Sequence, residues 1–181
     1  MTENNPIPGT VPDEKAVPIM VYTINWLCWG EFVTKQHIRV STVLRTNAAP
    51  EILTLRNAKT IFPALNSKPN PISTPAIHIP IDQILAYHLI PPNQEPLDYD
   101  PSEPNRRMDP VTVLTGKFRM DAKMRFASIS NLGKYLDRTR EVFTSLYDAE
   151  ITCPIMPSLG AVKVSLVLVR QATSFFSERA S

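Results

Sequence analysis

The chain has 181 residues, of which 43% are hydrophobic and 20% are charged, so it can bury a core and a disordered protein is excluded. Its 18 prolines against 5 glycines exclude a mainly helical fold, because proline lacks a backbone donor and blocks helix interiors. The formal net charge of +2 permits weak attraction to polyanions but does not indicate it.

Two features that the sequence lacks bear on the cellular compartment of the protein. Residues 1–16 lack the basic and apolar regions of a secretory signal, and no apolar run reaches the ~20 residues that span a bilayer. We therefore expect a soluble cytoplasmic protein.

The N-terminal segment, residues 1–20, contains four prolines among Asn, Thr and Glu and has a net charge of −2. This composition predicts an extended or disordered arm. Two interpretations stay open: a loose terminus, and a segment that docks on a neighbouring subunit.

Residues 21–90 form the first predicted β-rich repeat. Residues 22–29 alternate with a period of two, which predicts a strand, and Gly30 follows where a bulge is expected. Ser41 is the predicted N-cap of a helix of one or two turns. Further strands are expected at 51–59 and 72–81, the latter at a sheet edge because it contains two prolines; residues 83–90 fit either a strand or a short helix.

The connector, residues 91–110, is rich in proline and carries a net charge of −3. Such a segment is stiff and extended, so we expect it to run along the outside of the protein. Its acidic pair Asp98 and Asp100 is interpreted as solvating rather than catalytic.

The second predicted repeat is residues 111–176, followed by a tail at 177–181. A short helix is expected after Ser130 or Asn131. The expected strands are 111–120, 123–129, 142–152 and 161–172.

Three landmarks suggest that the second repeat copies the first. Gly30-Glu31-Phe32 resembles Gly116-Lys117-Phe118, residues 52–58 resemble 143–149, and residues 76–81 resemble 161–166, with separations of 86, 91 and 85 by subtraction. A near-constant separation is typical of an internal duplication. We therefore predict a β-rich α+β fold of two tandem, related, barrel-like or rolled-sheet units, each with one short helix, arranged about a pseudo-twofold. Two such units would share a core that either alone is too small to supply.

A pattern within the repeats resembles a group of small uncharacterised bacterial domains, in which an Arg-Leu-Ser-Asp helix start precedes a Phe-Ile-x-Leu-x-Asp-Ala strand. The first repeat matches at Arg39, Ser41, Leu44, Leu55, Asn57 and Ala58, and the second at Leu136, Leu146, Asp148 and Ala149. The second repeat lacks the arginine. The resemblance implies no activity, cofactor or substrate.

Catalytic and metal-binding chemistry has no recognisable motif here. His37, His78 and His88 lack the spacing of metal ligands, and the isolated glycines form no phosphate-binding loop. Cys28 and Cys153 are interpreted as two small buried thiols, with a disulfide as the alternative. We expect no enzymatic activity, no cofactor and no metal.

Binding surfaces are indicated by residue type and spacing alone. Arg119, Lys123 and Arg125 should lie on one side of a strand whose other side is apolar, which fits a nucleic-acid-binding face or an ordinary solvated face. Trp26 and Trp29 should point in opposite directions, so that one of them could fill a subunit interface. Phe175 and Phe176 form a small apolar element near the C-terminus.

The function predicted from these observations is non-catalytic: a structural or interaction protein that forms homo-oligomers or joins a larger assembly. The alternative is a nucleic-acid-binding small-barrel protein. A small-molecule-binding or enzymatic domain is a weaker alternative, which would require convergent polar groups in a deep pocket.

Overall fold

The computed structural model describes residues 13–46, 49–139 and 141–179. Of the predicted N-terminal arm, residues 1–12 lie outside the described part. Among the helices of the described residues, none has the length and apolar character needed to cross a membrane.

The fold is β-rich, with ten strands and two short α-helices. The strands are β1 (Glu14–Tyr22), β2 (Leu27–Lys35), β3 (Ile52–Ile61), β4 (Ile72–Pro80), β5 (Ala86–Leu89), β6 (Arg106–Thr115), β7 (Phe118–Ala127), β8 (Phe143–Thr152), β9 (Val162–Arg170) and β10 (Ser174–Glu178). The helices are α1 (Val40–Arg45) and α2 (Leu132–Arg138). Single 3-10 turns occur at Ile81–Gln83, Pro157–Leu159 and Gln171–Thr173.

All ten strands belong to one antiparallel sheet in the order β10-β6-β7-β8-β9-β5-β1-β2-β3-β4. Within the described residues the sheet is open, with β10 and β4 as its outer strands. The prediction of a β-rich α+β fold is therefore confirmed. Two separate barrel-like units are not, because the strands form one open sheet. The edge position predicted for the proline-bearing strand is confirmed, since that strand is β4.

The two halves of the chain place their strands in the same spatial order. The first half, β1 to β5, reads β5-β1-β2-β3-β4 across the sheet, and the second half, β6 to β10, reads β10-β6-β7-β8-β9. Both have a helix after their second strand. Both also interrupt the register between their second and third strands, where Asn57 and Asp148 each have a positive φ of 49°. Asparagine and aspartate are, after glycine, the residues that tolerate this conformation best.

The strand registers give corresponding positions that differ in part from those expected from sequence. Residues 52–58 do correspond to 143–149, as predicted. Gly30 and Gly116 do not correspond: Gly30 lies within β2 opposite Ile19, whereas Gly116 forms the β6–β7 turn. Residues 76–81 correspond to a stretch five positions later than predicted, because Ile79 and Val169 hold the same register position. The sequence-based alignment of these two strands was shifted at the β8–β9 loop.

Each half has its own hydrophobic core, and corresponding residues build both. The first-half core contains Ile19, Val21, Cys28, Leu55 and Ile79. The second-half core contains their counterparts Val111, Val113, Met120, Leu146 and Val169. All ten side chains are buried.

The sheet changes its buried face where the halves meet. Strands β9 and β5 pair through Ala86–Val169 and Tyr87–Leu168. The first pair belongs to the second-half core and the second pair to the first-half core, because successive residues of a strand point to opposite faces. The back of the first half therefore covers the second-half core. The residues of the first half that do so are Met20, Tyr22, Leu27, Trp29, Ile61 and Ala86.

The element bounds differ from the sequence-based ones at several points. Strand β1 begins at Glu14, within the segment predicted as an arm, and β6 begins at Arg106, within the predicted connector. Both extensions follow from pairing, since β1 and β6 are held by long hairpin ladders with β2 and β7. The predicted strand 111–120 is wrong because the β6–β7 turn interrupts it, and β10 extends to Glu178, within the predicted tail. Of the two alternatives for residues 83–90, the strand is confirmed as β5, and the short helix is wrong because the 3-10 turn ends at Gln83.

The cysteines lie in separate cores and are not joined. Cys28 belongs to the first-half core and Cys153 to the second-half core, and both thiols are buried and free. The interpretation as buried thiols is confirmed. Burial raises the pKa of Cys28 to about 12, so this thiol is not a reactive thiolate at neutral pH.

His88 on β5 is buried at the junction between the halves. Its Nδ1 lies 2.8 Å from the Leu89 carbonyl oxygen, which can only accept, so Nδ1 carries the hydrogen. The hydroxyl of Tyr22, 2.9 Å from Nε2, then donates to that nitrogen. Burial lowers the pKa of His88 to about 4, so the imidazole is neutral in the folded protein at neutral pH.

This histidine predicts an acid-dependent loss of stability. The unfolded chain binds a proton near pH 6.5 and the folded chain only near pH 4, so the free energy of unfolding should fall across that interval by roughly 3 kcal/mol. In His88→Gln this component should be missing, although the variant is less stable at pH 7. Urea unfolding at several pH values measures it, and an equally steep decline in the variant would contradict the assignment.

Candidate functional site

The connector between the halves is fastened to the protein by its acidic side chains. Glu95 lies at the start of α1, where its carboxylate accepts hydrogen bonds from the backbone N–H of Val40 (2.6 Å) and Ser41 (3.4 Å). Ser41 was predicted as the N-cap, but Arg39 holds that position in an extended conformation and makes no side-chain cap bond. A carboxylate more than 50 residues away supplies the acceptor instead. In α2 the predicted cap Asn131 is confirmed, since its side chain accepts from Lys134 N.

Asp98 is the centre of the polar contacts. Its Oδ2 accepts from Arg45 Nη1 at 2.8 Å and from Ser145 Oγ at 2.6 Å, and its Oδ1 accepts from Tyr147 Oη at 2.6 Å. Its side chain is only 17% exposed. Asp98 was interpreted as solvating because the connector has the composition of a linker. That interpretation is wrong, because β8 and α1 supply three donors for this carboxylate.

The charges around Asp98 stabilise its ionised form. Burial alone would raise the pKa of Asp98, but the hydrogen bonds from Ser145, Tyr147 and Arg45, together with the Arg45 charge, hold it below its usual value. Burial and the Asp98 carboxylate raise the pKa of Tyr147. The phenol is therefore a permanent donor at neutral pH, and the carboxylate is an occupied acceptor rather than a free base.

A second group of contacts holds the following turn of the connector. The guanidinium of Arg125 lies 4.5 Å from the centre of the Tyr99 ring and donates to Glu103 at 2.8 Å and to the Asp100 carbonyl oxygen at 3.0 Å. Tyr99 in turn meets Tyr147 edge to face, with ring centres 5.0 Å apart. Residues 98–103 of the connector are therefore held against β7 and β8.

These contacts leave two concave spaces beneath the connector. A cleft of about 310 Å³ is bordered by Arg45, Asp98, Tyr147 and Glu141 among others, and its charged groups are joined in ion pairs at 2.8 and 3.1 Å. A cavity of about 230 Å³ lies between the connector and strands β5 and β9. Tyr87 lines it, with a buried hydroxyl that has no hydrogen-bond partner among the described residues. Ser41, Ser165 and His88 also line this cavity, but among the described residues the His88 Nε2 is occupied by the Tyr22 hydroxyl and is not a free base.

The three basic residues predicted to share a face do so. Burial alternates along β7, with Phe118, Met120, Met124 and Phe126 inside and the basic side chains outside. Each of those side chains is neutralised by an acid. Arg119 pairs with Asp121 at 3.0 Å, Lys123 with Asp148 at 2.9 Å and Arg125 with Glu103 at 2.8 Å.

The predicted aromatic contacts divide between the two cores and the outer edge. Trp26 packs against the first-half core and Trp29 against the second-half core. The single strand predicted for residues 22–29 is wrong, however, because residues 23–26 form the turn between β1 and β2 and Trp26 lies in that turn. Phe176 on β10 packs against the second-half core. Phe175, its neighbour, is 78% exposed.

Most of the exposed apolar side chains lie beside the two outer strands. Of these residues, only Phe175 was predicted from the sequence. Near β4 they are Ile52, Phe62, Leu65 and Ile72, and on β10 and its neighbour β6 they are Phe175 and Leu114. Phe175 and Leu114 are paired across the ladder. The signal that could have found them is the correspondence between the halves, since their counterparts are mostly buried.

Comparisons with protein-family models, with curated proteins and with solved structures found no match to this chain.

The Asp98 contacts predict a stability effect that is present at neutral pH and is lost only in strong acid. Asp98→Asn should lower the free energy of unfolding by about 2–3 kcal/mol at pH 7, because the partly buried Arg45 charge loses one of its two carboxylate partners. Since the folded-state pKa of Asp98 is lowered, the wild-type advantage is present above its unfolded pKa of about 3.9 and is lost as pH falls through the folded value.

Urea unfolding at pH 7 and at pH 3 tests this. The matched control is Asp100→Asn in the same connector, whose exposed carboxylate binds only Ser102 of its own turn and whose loss should change little. Equal effects of the two substitutions at pH 7 would show that Asp98 does not fasten the connector.

Proposed function

We propose that this chain is a non-catalytic structural or interaction protein that associates with itself, and that it arose by duplication of one five-strand unit. The duplication is supported by the repeated strand order and by the matching register shifts at Asn57 and Asp148. Neither feature is needed for a ten-stranded sheet as such.

The observation that carries self-association is an open sheet with exposed apolar side chains at both ends. Strands β4 and β10 each have a neighbour on one side only within the described residues, and unpaired strand edges are templates for pairing with another chain. Phe175 is 78% exposed and Leu65 75%. Side chains of this kind clustered at a sheet edge favour a protein contact.

A non-catalytic role is supported by the state of the polar groups. The Asp98 carboxylate of the connector has three donors and a lowered pKa, which suits a structural contact and not proton transfer. The nucleic-acid alternative gains no support from β7, because its cations are paired with acids on the same face.

Sedimentation velocity over a range of protein concentrations, at low and high salt, tests the proposal. The weight-average mass should rise with concentration and should persist in high salt, since apolar contacts are not screened. A monomer at every concentration would refute self-association. Steeply salt-dependent binding of an oligonucleotide would instead favour the nucleic-acid alternative.

Phe175→Ser should weaken the association about ten- to hundredfold, which is the effect of removing one buried aromatic side chain from an interface. The matched control is Ile129→Ser, which removes an exposed apolar side chain from the β7–α2 loop, away from both outer strands. If both substitutions change the dissociation constant equally, general surface hydrophobicity and not the sheet edge drives association.

A further inference from the structure

We infer that the partner of each outer strand is the other outer strand of a second copy: β10 of one chain pairs antiparallel with β4 of the next, in the register that joins β5 to β9 within the chain. This inference rests on the proposed self-association and specifies its geometry. Its basis is that β10 corresponds to β5 and β4 corresponds to β9. The junction inside the chain is thus a template for a junction between chains.

The register of the template can be transferred residue by residue. Val21 pairs with Tyr87 in the first half and its counterpart Val113 with Phe176 in the second, so Phe176 corresponds to Tyr87 and Phe175 to Ala86. Ile79 corresponds to Val169, and His78 to Leu168.

The internal pairs Ala86–Val169 and Tyr87–Leu168 thereby become Phe175–Ile79 and Phe176–His78 between two copies.

The exposed apolar side chains at the β4 end are those that this contact would cover. Ile52 corresponds to Phe143, which is buried against Tyr87 with ring centres 5.0 Å apart. Ile72 corresponds to Val162, which packs against the second-half core.

The β3–β4 loop also has exposed apolar residues whose counterparts, in the β8–β9 loop, are buried. It begins Phe62-Pro63-Ala64-Leu65, and the β8–β9 loop begins Cys153-Pro154-Ile155-Met156. Cys153 and Met156 are buried, whereas Phe62 and Leu65 are exposed.

The exposed apolar side chains at the β10 end support the same contact. Leu114 and Phe175 correspond to Tyr22 and Ala86, both of which are buried on the back of the first half, over the second-half core. A second copy would bring its Leu114 and Phe175 towards the exposed apolar side chains at the β4 end in the same way. Three of the six counterparts, Phe143, Tyr22 and Ala86, lie in the core of the opposite half, and the other three, Cys153, Met156 and Val162, lie in or against the second-half core that the first half covers.

The contact between copies has fewer anchors than its internal template. Arg170 donates its backbone N–H to the Leu85 carbonyl at 2.7 Å, and its guanidinium donates to the carbonyls of Ile84 and Ile81. Its counterpart on β4 is Pro80, which has neither an N–H nor a charge. The pairing between copies should therefore be reversible, with chains separating far more readily than halves.

The geometry predicts open-ended growth. Neighbouring strands are antiparallel throughout, so corresponding strands, which lie five places apart, point in opposite directions. The two halves also bury opposite faces of the sheet. The two halves are related by a half-turn about an axis that lies in the sheet and crosses the strands, combined with a translation along that axis. Repeating this operation adds copies in a row without closing a ring.

Disulfide trapping tests the register. A chain carrying Pro80→Cys is mixed with one carrying Ser174→Cys, the counterparts of Arg170 and Leu85, and is oxidised; the buried native thiols give little background. A mixed disulfide should form at least tenfold faster than with the control pair His37→Cys and Ser174→Cys, since His37 lies in the β2–α1 turn. His78→Cys with Phe176→Cys provides a second, independent pair.

The outcomes separate this inference from the proposed function. If the chains associate but the Ser174→Cys chain crosslinks to itself as fast as to its partner, or neither pair crosslinks, head-to-tail pairing is refuted while self-association stands. A chain bearing both cysteines should give a ladder of sizes; a disulfide-linked product that stops at a dimer would refute open-ended growth.

A gain of affinity provides the complementary test. Pro80→Arg restores on β4 the N–H and the guanidinium that Arg170 uses on β9, so the dissociation constant between chains should fall about tenfold. Pro80→Ala, which restores only the N–H, should have a smaller effect. An unchanged or weaker association in Pro80→Arg would show that β4 is not the partner of β10.

Discussion

The β9–β5 junction is the contact on which the rest of the structure depends. Only two residue pairs join these strands, and Arg170 adds three hydrogen bonds to backbone carbonyls that precede β5. Because the sheet exchanges its buried face at this point, each core contains side chains of both halves. Neither half can bury its apolar residues without the other, which explains how two units of marginal size form one stable body.

The connector also holds the two halves together, on the outside of the protein. It leaves β5 and crosses the ends of α1, β7 and β8 before entering β6, and Glu95, Asp98 and Glu103 fasten it at each crossing. Its acidic composition is therefore structural: each carboxylate meets a helix start, a group of hydroxyls or a guanidinium. Packing of this kind fixes the position of one half relative to the other beyond what a two-pair ladder could do alone.

Local patterns in the sequence were sufficient for those features that depend on neighbouring residues. The alternation along β7, the edge position of the proline-bearing β4 and the cap at Asn131 could all be predicted, as could the match of residues 52–58 with 143–149. The burial of Asp98 could not, because its donors Arg45, Ser145 and Tyr147 lie 47 to 53 residues away. The predicted correspondence of Gly30 with Gly116 is wrong for a different reason. Sequence alone does not distinguish a glycine in a bulged strand from a glycine in a turn.

The exchange of faces also bears on synthesis. When the first half leaves the ribosome, Tyr22, Leu27, Ile61 and Ala86 form an apolar surface that only the second half can cover. Its own core also lacks Phe143 and Leu168 until β8 and β9 have emerged. The nascent first half therefore passes through an interval with an incomplete core and an uncovered back. A chaperone that recognises extended apolar strands would find a larger apolar surface in that interval than in the finished protein.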